Sequence, residues 1–299
     1  MKFKSNSKVI APRVLSDLGC GLDTFGLALD GLYDEVLVKP SAMAGIQITE
    51  VVGNKTNIPL DCIQNAAGAA ALAVLLLLLA QHDLDPKLGL SLTLRKRIPV
   101  GYGLGSSAAS AVAGAIAVNE AFGRPLDKRE LLPFAAAGDA LVEGVGRLNA
   151  VVPALLGGCF LVQDAQALRY HRLPFLKGLQ VVLVYPRNIR LLQQGQRGLL
   201  PAQLPTADFA RQAAQAAALV QALYMGDLAS IQAALSFQPL EPYWKRAIPH
   251  FDQIKSTALD MGALGCSLAG KGSAVFALCK NSLDAEEIGT AMGRIYEQA

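Results

Sequence analysis

The sequence predicts an α+β chain in two halves, dividing near residues 155–165. Apolar residues alternate in short strand-like runs that are interleaved with Ala/Leu-rich helical runs along the whole chain. A glycine-rich loop, residues 99–110, joins a cleanly alternating strand to an alanine-rich helix, and a second glycine cluster, residues 262–273, leads into another strand and a final helix. At 299 residues there is enough chain for two ordinary domains.

Taken in order, Lys8–Val14 reads as a strand entering a glycine bend, Leu18-Gly-Cys-Gly-Leu-Asp23. Residues 35–40 and 46–52 alternate as strands. Asp61 or Asn65 starts a long Ala/Leu helix, and Leu90–Arg95 is a strand. The alanines from 108 to 121 favour a helix that Ser106 or Ser107 is able to cap. Lys128–Glu143 reads as a helix, and residues 144–158 as a loop with a short helix. In the second half, residues 159–163 and 179–185 read as strands. Residues 209–223, 228–234 and 251–261 read as helices, followed by a strand at 274–279 and a helix at 285–298.

Composition excludes several classes. The chain is 52% hydrophobic and 17% charged, which is a globular balance. A net charge of +3 without a long basic run argues against nucleic acid, although the Arg95-Lys96-Arg97 cluster is compatible with a small anion. The five cysteines and three histidines show no metal-site spacing. Scattered free thiols fit a reducing, cytoplasmic setting. The most apolar run, residues 66–80, is short for a membrane span and carries Gly68, so it reads as a buried helix.

The loop Pro99-Val-Gly-Tyr-Gly-Leu-Gly-Ser-Ser-Ala108 carries the chemistry. Alternate glycines permit left-handed backbone and close approaches. The helix that follows opens with unpaired N–H groups at its positive end. Strand, glycine loop and helix in that order make a phosphate cradle. Gly265–Gly272 is close to the pattern G-x-x-x-x-G-K-[ST], but Gly272 stands where the metal-binding hydroxyl belongs and a strand follows instead of a helix.

Three segments together resemble the GHMP kinases, and most closely the homoserine kinase branch of that family. They are Ala11–Asp23, the Pro99–Ala108 loop, and the glycine cluster at 263–276. Pro153–Gly158, Arg197–Pro201 and Glu241-Pro242 add further matches, so the resemblance spans nearly the whole chain. It implies a two-domain α+β fold, with a nucleotide-binding domain over 1–158 and a ferredoxin-like α+β domain over 159–299. The implied activity is ATP-dependent phosphorylation of a small alcohol, with L-homoserine the leading acceptor in threonine biosynthesis. By resemblance, Asn65 lies beside adenine. Pro99, Gly101, Gly103, Leu104, Gly105, Ser106, Ser107 and Ala108 hold the phosphates. Ser107 and Asp139 hold Mg²⁺, and Asp139, Ser107 and Arg197 are catalytic. Asp17, Asn149, Gln193, Arg197, Trp244 and Gly270 fall on the acceptor side. The resemblance implies no membrane and no nucleic-acid partner. The family often forms homodimers, and nothing in the residues independently requires one.

The acceptor positions depart from the family pattern. Asp139 stands where the family usually has Glu. Asp17 replaces Asn, Asn149 replaces Asp, Ala150 replaces Asn, Gln193 replaces Thr, and Trp244 replaces Arg. Arg147 heads a segment that usually begins with His, and with Arg197 it is the remaining candidate to grip an acceptor carboxylate. The exchange at 17 and 149 preserves one carboxylate and one amide if both face the same ammonium. Lys271 is a candidate to neutralise phosphate. Three readings stand open: a homoserine kinase, a kinase of the same fold with another small hydroxylated acceptor, and a catalytically weak nucleotide-binding homologue.

Overall fold

The computed structural model describes residues 3–53, 58–82, 84–186, 198–236 and 238–297. Its first sheet is organised by one long strand. β1 (Ser7–Ser16) turns back into β2 (Phe25–Ser41), and β2 also pairs with β4 (Gly89–Arg95) and β5 (Cys159–Asp164). β3 (Gly45–Val52) lies parallel to β4, and β6 (Arg169–Leu173) closes the far edge against β5. The order β3-β4-β2-β5-β6, with β1 on β2, makes six strands. β5 and β6 therefore belong to the first sheet although they follow residue 158.

Three helices cover this sheet, α1 (Ala66–His82), α2 (Ser106–Ala121) and α4 (Leu148–Leu156), and α3 (Leu132–Glu143) packs against all three. α2 lies at the centre and is buried almost all round, which explains why its residues are alanine, valine and glycine. Small side chains let neighbouring helices come close, and a Cβ at Gly114 would sit 2.3 Å from the Ala67 carbonyl of α1. The apolar run at 66–80 forms α1 and buries one face, while Leu76 is exposed. Among the described residues no helix is long and apolar enough to cross a membrane.

The second sheet is antiparallel, β7 (Gln180–Val184), β9 (Val275–Cys279) and β8 (Gly265–Leu268), in the order β7-β9-β8. α5 (Thr206–Met225), α6 (Leu228–Ser236), α7 (Glu241–Trp244), α8 (Phe251–Asp260) and α9 (Ser282–Glu297) complete this half. Ile254, Ile288 and Met292 from α8 and α9 join Val275 and Ala277 of β9 in a separate core.

Several sequence expectations need correction. The helix expected over Lys128–Glu143 starts only at Leu132. Pro133 suits the first helical turn, where its missing N–H costs nothing, and Asp127 instead holds a turn by accepting the N–H groups of Arg129 (2.7 Å) and Glu130 (3.0 Å). β6 escapes notice because its sequence, RYHRL, is largely exposed and lacks apolar alternation. β8 is hidden inside a glycine cluster and is buried on both faces, and α7 is a single turn. All five cysteines are free and four are buried. Burial pushes the thiols of Cys20, Cys159 and Cys266 up to about 12 and that of Cys279 up to about 11, so none is poised as a nucleophile.

Candidate active site

The three motif segments meet at one point. The β1–β2 bend, the loop after β4 and the β8–β9 turn are joined backbone to backbone. Val14 N–H donates to the Leu104 carbonyl (3.2 Å), Gly270 N–H to Ser16 (3.2 Å) and Ala274 N–H to Tyr102 (3.2 Å). The contact is so close that a Cβ on Gly103 would lie 2.2 Å from the Ala269 carbonyl oxygen and 2.3 Å from the Gly272 nitrogen. Gly101, Gly103 and Gly105 all take positive φ, at 88°, 83° and 72°. The glycines of the two clusters are therefore needed for each other as well as for any ligand.

Gly105, in left-handed conformation, is the residue that caps α2, and neither Ser106 nor Ser107 makes the expected cap bond. Both serines lie inside the first turn with their hydroxyls turned to other work. The first N–H to bond back is that of Ala109, to Gly105 O at 2.9 Å. The N–H groups of Ser106, Ser107 and Ala108 precede it, at the positive end of the helix. Gly105, Ser106 and Ser107 line a cleft of about 270 Å³, together with Pro99, Gly101, Gly103, Leu104, Glu143, Arg147 and Lys271.

A buried ion pair holds the loop in place. Asp34 of β2 accepts N–H bonds from Arg97 (3.0 Å) and Ile98 (3.1 Å) and pairs with the Lys96 ammonium. Lys96 in turn donates to the Ser106 carbonyl at 3.0 Å and to Ser110 Oγ. Burial pulls the Lys96 ammonium below its ordinary value, against the opposing pull of Asp34. The Arg95-Lys96-Arg97 cluster is thus not an anion site. Arg95 pairs with Glu35 at 2.9 Å, Lys96 is enclosed, and Arg97 stacks over Tyr33.

Opposite the loop stands a compact polar group. Ser107 Oγ donates to Asp139 Oδ1 at 2.7 Å and lies 3.1 Å from Glu143 Oε1. Glu143 follows Asp139 by one helical turn on α3, so both carboxylates face the same way. Arg147, from the start of α4, places Nη2 at 2.9 Å from Ser107 Oγ, 3.2 Å from Asp139 Oδ1 and 3.1 Å from Glu143 Oε1. Its backbone N–H donates to Asp139 Oδ2 at 3.0 Å. Burial works against the guanidinium's charge, but Asp139 and then Glu143 outweigh it and hold its pKa above the ordinary value. Lys271 Nζ lies 3.8 Å from Glu143 Oε2. Glu143 was not singled out from the sequence, although the Asp-x-x-x-Glu spacing on a helix was there to be read. The sequence makes Arg147, with Arg197, a candidate to grip an acceptor carboxylate. Here its partners are the protein's own carboxylates.

The donor set suits a hard divalent cation, since it consists of two carboxylates and a hydroxyl. Among the described residues no three His, Cys, Asp or Glu side chains form a metal cluster, so any cation here would need the Ser107 hydroxyl beside the two carboxylates. The point on which these oxygens converge carries the Arg147 guanidinium.

A second cleft of about 500 Å³ opens on the other side of Arg147, bordered by Asp23, Ala140, Gly146 and Asn149. Asn149 Nδ2 donates to Asp17 Oδ1 at 2.9 Å, and the same oxygen accepts Asp23 N–H at 2.8 Å. The positions whose side chains are exchanged relative to the family pattern are thus in direct contact. Asp17 and Asp23 take positive φ, 75° and 59°, in a bend that concentrates backbone strain beside the cleft.

Other expected residues fall elsewhere. Asn65 is buried and caps α1. Its Oδ1 accepts from Ala67 (3.0 Å) and Gly68 (3.3 Å), and its Nδ2 donates to Pro59 O, so its polar atoms are committed inside the chain and not to a base. Trp244 is packed against Phe251 in the second core, edge to face at 5.0 Å, and borders neither cleft. Trp244→Ala is expected to cost about 3–5 kcal/mol of stability, read from chemical denaturation. The KM for any acceptor should hold in the folded fraction. A raised KM at unchanged stability would return Trp244 to the site. Gln193 and Arg197 lie outside the described residues.

Comparison with known proteins places these features in a family. The models of the GHMP kinases N terminal domain and the GHMP kinases C terminal match residues 69–158 and 216–298. The homoserine kinase of Arabidopsis thaliana is 38% identical over 96% of this chain and 76% of its own length. That of Chlorobaculum tepidum is 34% identical over 94% and 88%. The crystal structure of homoserine kinase from Cytophaga hutchinsonii superposes with a TM-score of 0.92 at 34% identity, covering all of this chain and 92% of that one.

Proposed function

Because the chain belongs to the GHMP kinases, in their homoserine kinase branch, we propose that it transfers the γ-phosphoryl group of ATP to the hydroxyl of L-homoserine, giving O-phospho-L-homoserine. The observation that carries this reading is the meeting of two clefts at Arg147. One is lined by the N-terminus of α2, and the other by Asp23 and by Asn149, which bonds the buried Asp17 behind it. A phosphate chain in the first cleft ends where an alcohol in the second begins.

Phosphoryl transfer needs alignment and charge neutralisation more than covalent help from the protein. In this reading the N–H groups of Gly103, Gly105, Ser106 and Ser107 bind phosphate oxygens, and Lys271 adds positive charge. Ser107, Asp139 and Glu143 would hold Mg²⁺, which when bound neutralises charge on the phosphates. Asp17 and Asp23 offer carboxylates toward an ammonium. The alcohol oxygen then attacks phosphorus in line with the departing ADP, and the hydroxyl proton is released. The free thiols fit a cytoplasmic setting.

The second reading is a kinase of the same fold with a less polar acceptor. The observation that favours it is internal pairing on the acceptor side. Asn149 and Asp17 bond each other, and an indole in the core stands where the family has an arginine. An ADP-coupled assay with Mg-ATP and a panel of amino alcohols and hydroxy acids decides. The expected result is turnover with a kcat/KM for L-homoserine above that for every other acceptor. A higher value for an acceptor lacking the ammonium or the carboxylate favours the second reading, and no ADP formation with any acceptor removes both.

A further inference from the structure

Arg147 sits on the atoms that the proposed reaction needs for a metal. Its Nη2 is within 2.9–3.2 Å of Ser107 Oγ, Asp139 Oδ1 and Glu143 Oε1. Magnesium binds oxygen at about 2.0–2.1 Å and demands near-octahedral geometry. On the face of these oxygens that Nη2 occupies, a point that close overlaps the guanidinium, and two cations on the same lone pairs repel, so metal and arginine compete for them. The arginine is held at its main chain as well. Its backbone N–H is anchored on Asp139 Oδ2, so the side chain alone has to move. Its Nε is buried without a hydrogen-bond partner, so the resting position leaves one donor unmet. The same side chain lines the phosphate cleft, where the planar fork of a guanidinium matches phosphate oxygens.

We propose that Arg147 is the resting cation of the site: its guanidinium and Mg²⁺ exclude each other from the Ser107–Asp139–Glu143 oxygens, and the metal enters only with a polyphosphate that draws the guanidinium off them. Arg147 thereby exchanges carboxylate oxygens for phosphate oxygens. Binding of nucleotide and of metal become coupled, and the free metal alone is poorly held. The inference rests on the kinase reading of the site and adds an order of events to it.

The test is a titration of the full chain with Mn²⁺ as the probe, followed by electron paramagnetic resonance of the free ion. It is run with and without a non-hydrolysable ATP analogue and corrected for metal bound by the analogue alone. The wild type is expected to take up little Mn²⁺ by itself and far more with the analogue. Arg147→Gln, and Arg147→Met as a second variant whose thioether is a poor ligand for a hard cation, should bind Mn²⁺ without nucleotide at least about tenfold more tightly than the wild type. Equal affinity in wild type and folded variant overturns the proposal. So does tight uptake by the wild type without nucleotide, which decides the matter even if neither variant folds. The nucleotide-free arm requires no turnover. A chain inactive in the ADP assay but with the gain in Arg147→Gln would sink the kinase reading and leave the competition standing.

Discussion

Asp139→Asn is expected to lower kcat by about two to three orders of magnitude while leaving the nucleotide cleft formed. The reasoning starts from the number of groups that converge on this one side chain. Asp139 Oδ1 accepts from Ser107 and from Arg147 Nη2, and Oδ2 accepts the Arg147 N–H. It is fully buried, so its charge is balanced by the arginine and little else nearby. An amide cannot accept at both positions, and its NH₂ would face either a guanidinium or an N–H. Removing one member of a buried pair typically destabilises a protein by about 3–5 kcal/mol, so a fall in Tm is expected alongside the lost turnover. The two effects separate by measuring kcat on protein shown to be folded by circular dichroism at the assay temperature. Full turnover with a lowered Tm would reduce Asp139 to a structural partner of Arg147 and remove it from the reaction.

Gly103→Ala is expected to abolish ATP binding within the range of calorimetric titration and to lower Tm. Two independent costs fall on this position. The backbone is at φ 83°, a conformation that costs a residue with a Cβ about 1–2 kcal/mol. The added carbon would also lie 2.2 Å from the Ala269 carbonyl oxygen and 2.3 Å from the Gly272 nitrogen, both backbone atoms with no freedom to rotate away. Overpacking of that kind costs about 1–3 kcal/mol more and is relieved only by parting the two glycine segments. Parting them moves the loop that positions the α2 N-terminus, so binding is lost through geometry and not through any missing contact. Ala at Gly144 meets no atom within 4 Å and provides the control, since it carries a similar φ penalty at 77°. Equal effects of the two substitutions would show that strain alone matters and that the contact between the glycine segments does not.

Local residue patterns are enough to identify the glycine loop and the helix behind it. The chemistry of glycine, serine and alanine in that order is nearly independent of what surrounds it, and short-range sterics and helix polarity suffice to read it. The same holds for β4, whose alternation in Leu90–Arg95 survives into the sheet. Assignments that depended on where side chains point fared differently. Asn65 stands at a plausible distance from the loop, yet the orphan N–H groups of α1 claim its side chain. The basic triplet at 95–97 looks like an anion patch until the register opposite Asp34-Glu35 is known, because β2 delivers its own acids to two of those cations.

What the sequence determined alone was the class of fold, the family and the glycine loop with its helix, each set by contacts between neighbours along the chain or by motif order. Tertiary structure alone decided that Ser107 joins Asp139, that Arg147 stands on both, that Asp17 meets Asn149 across 132 residues of chain, and that Trp244 belongs to a core. The reason is that a buried polar group takes its role from its nearest partners, and the partners of Ser107 and Asp17 come from elements far along the chain that only packing brings within 3 Å.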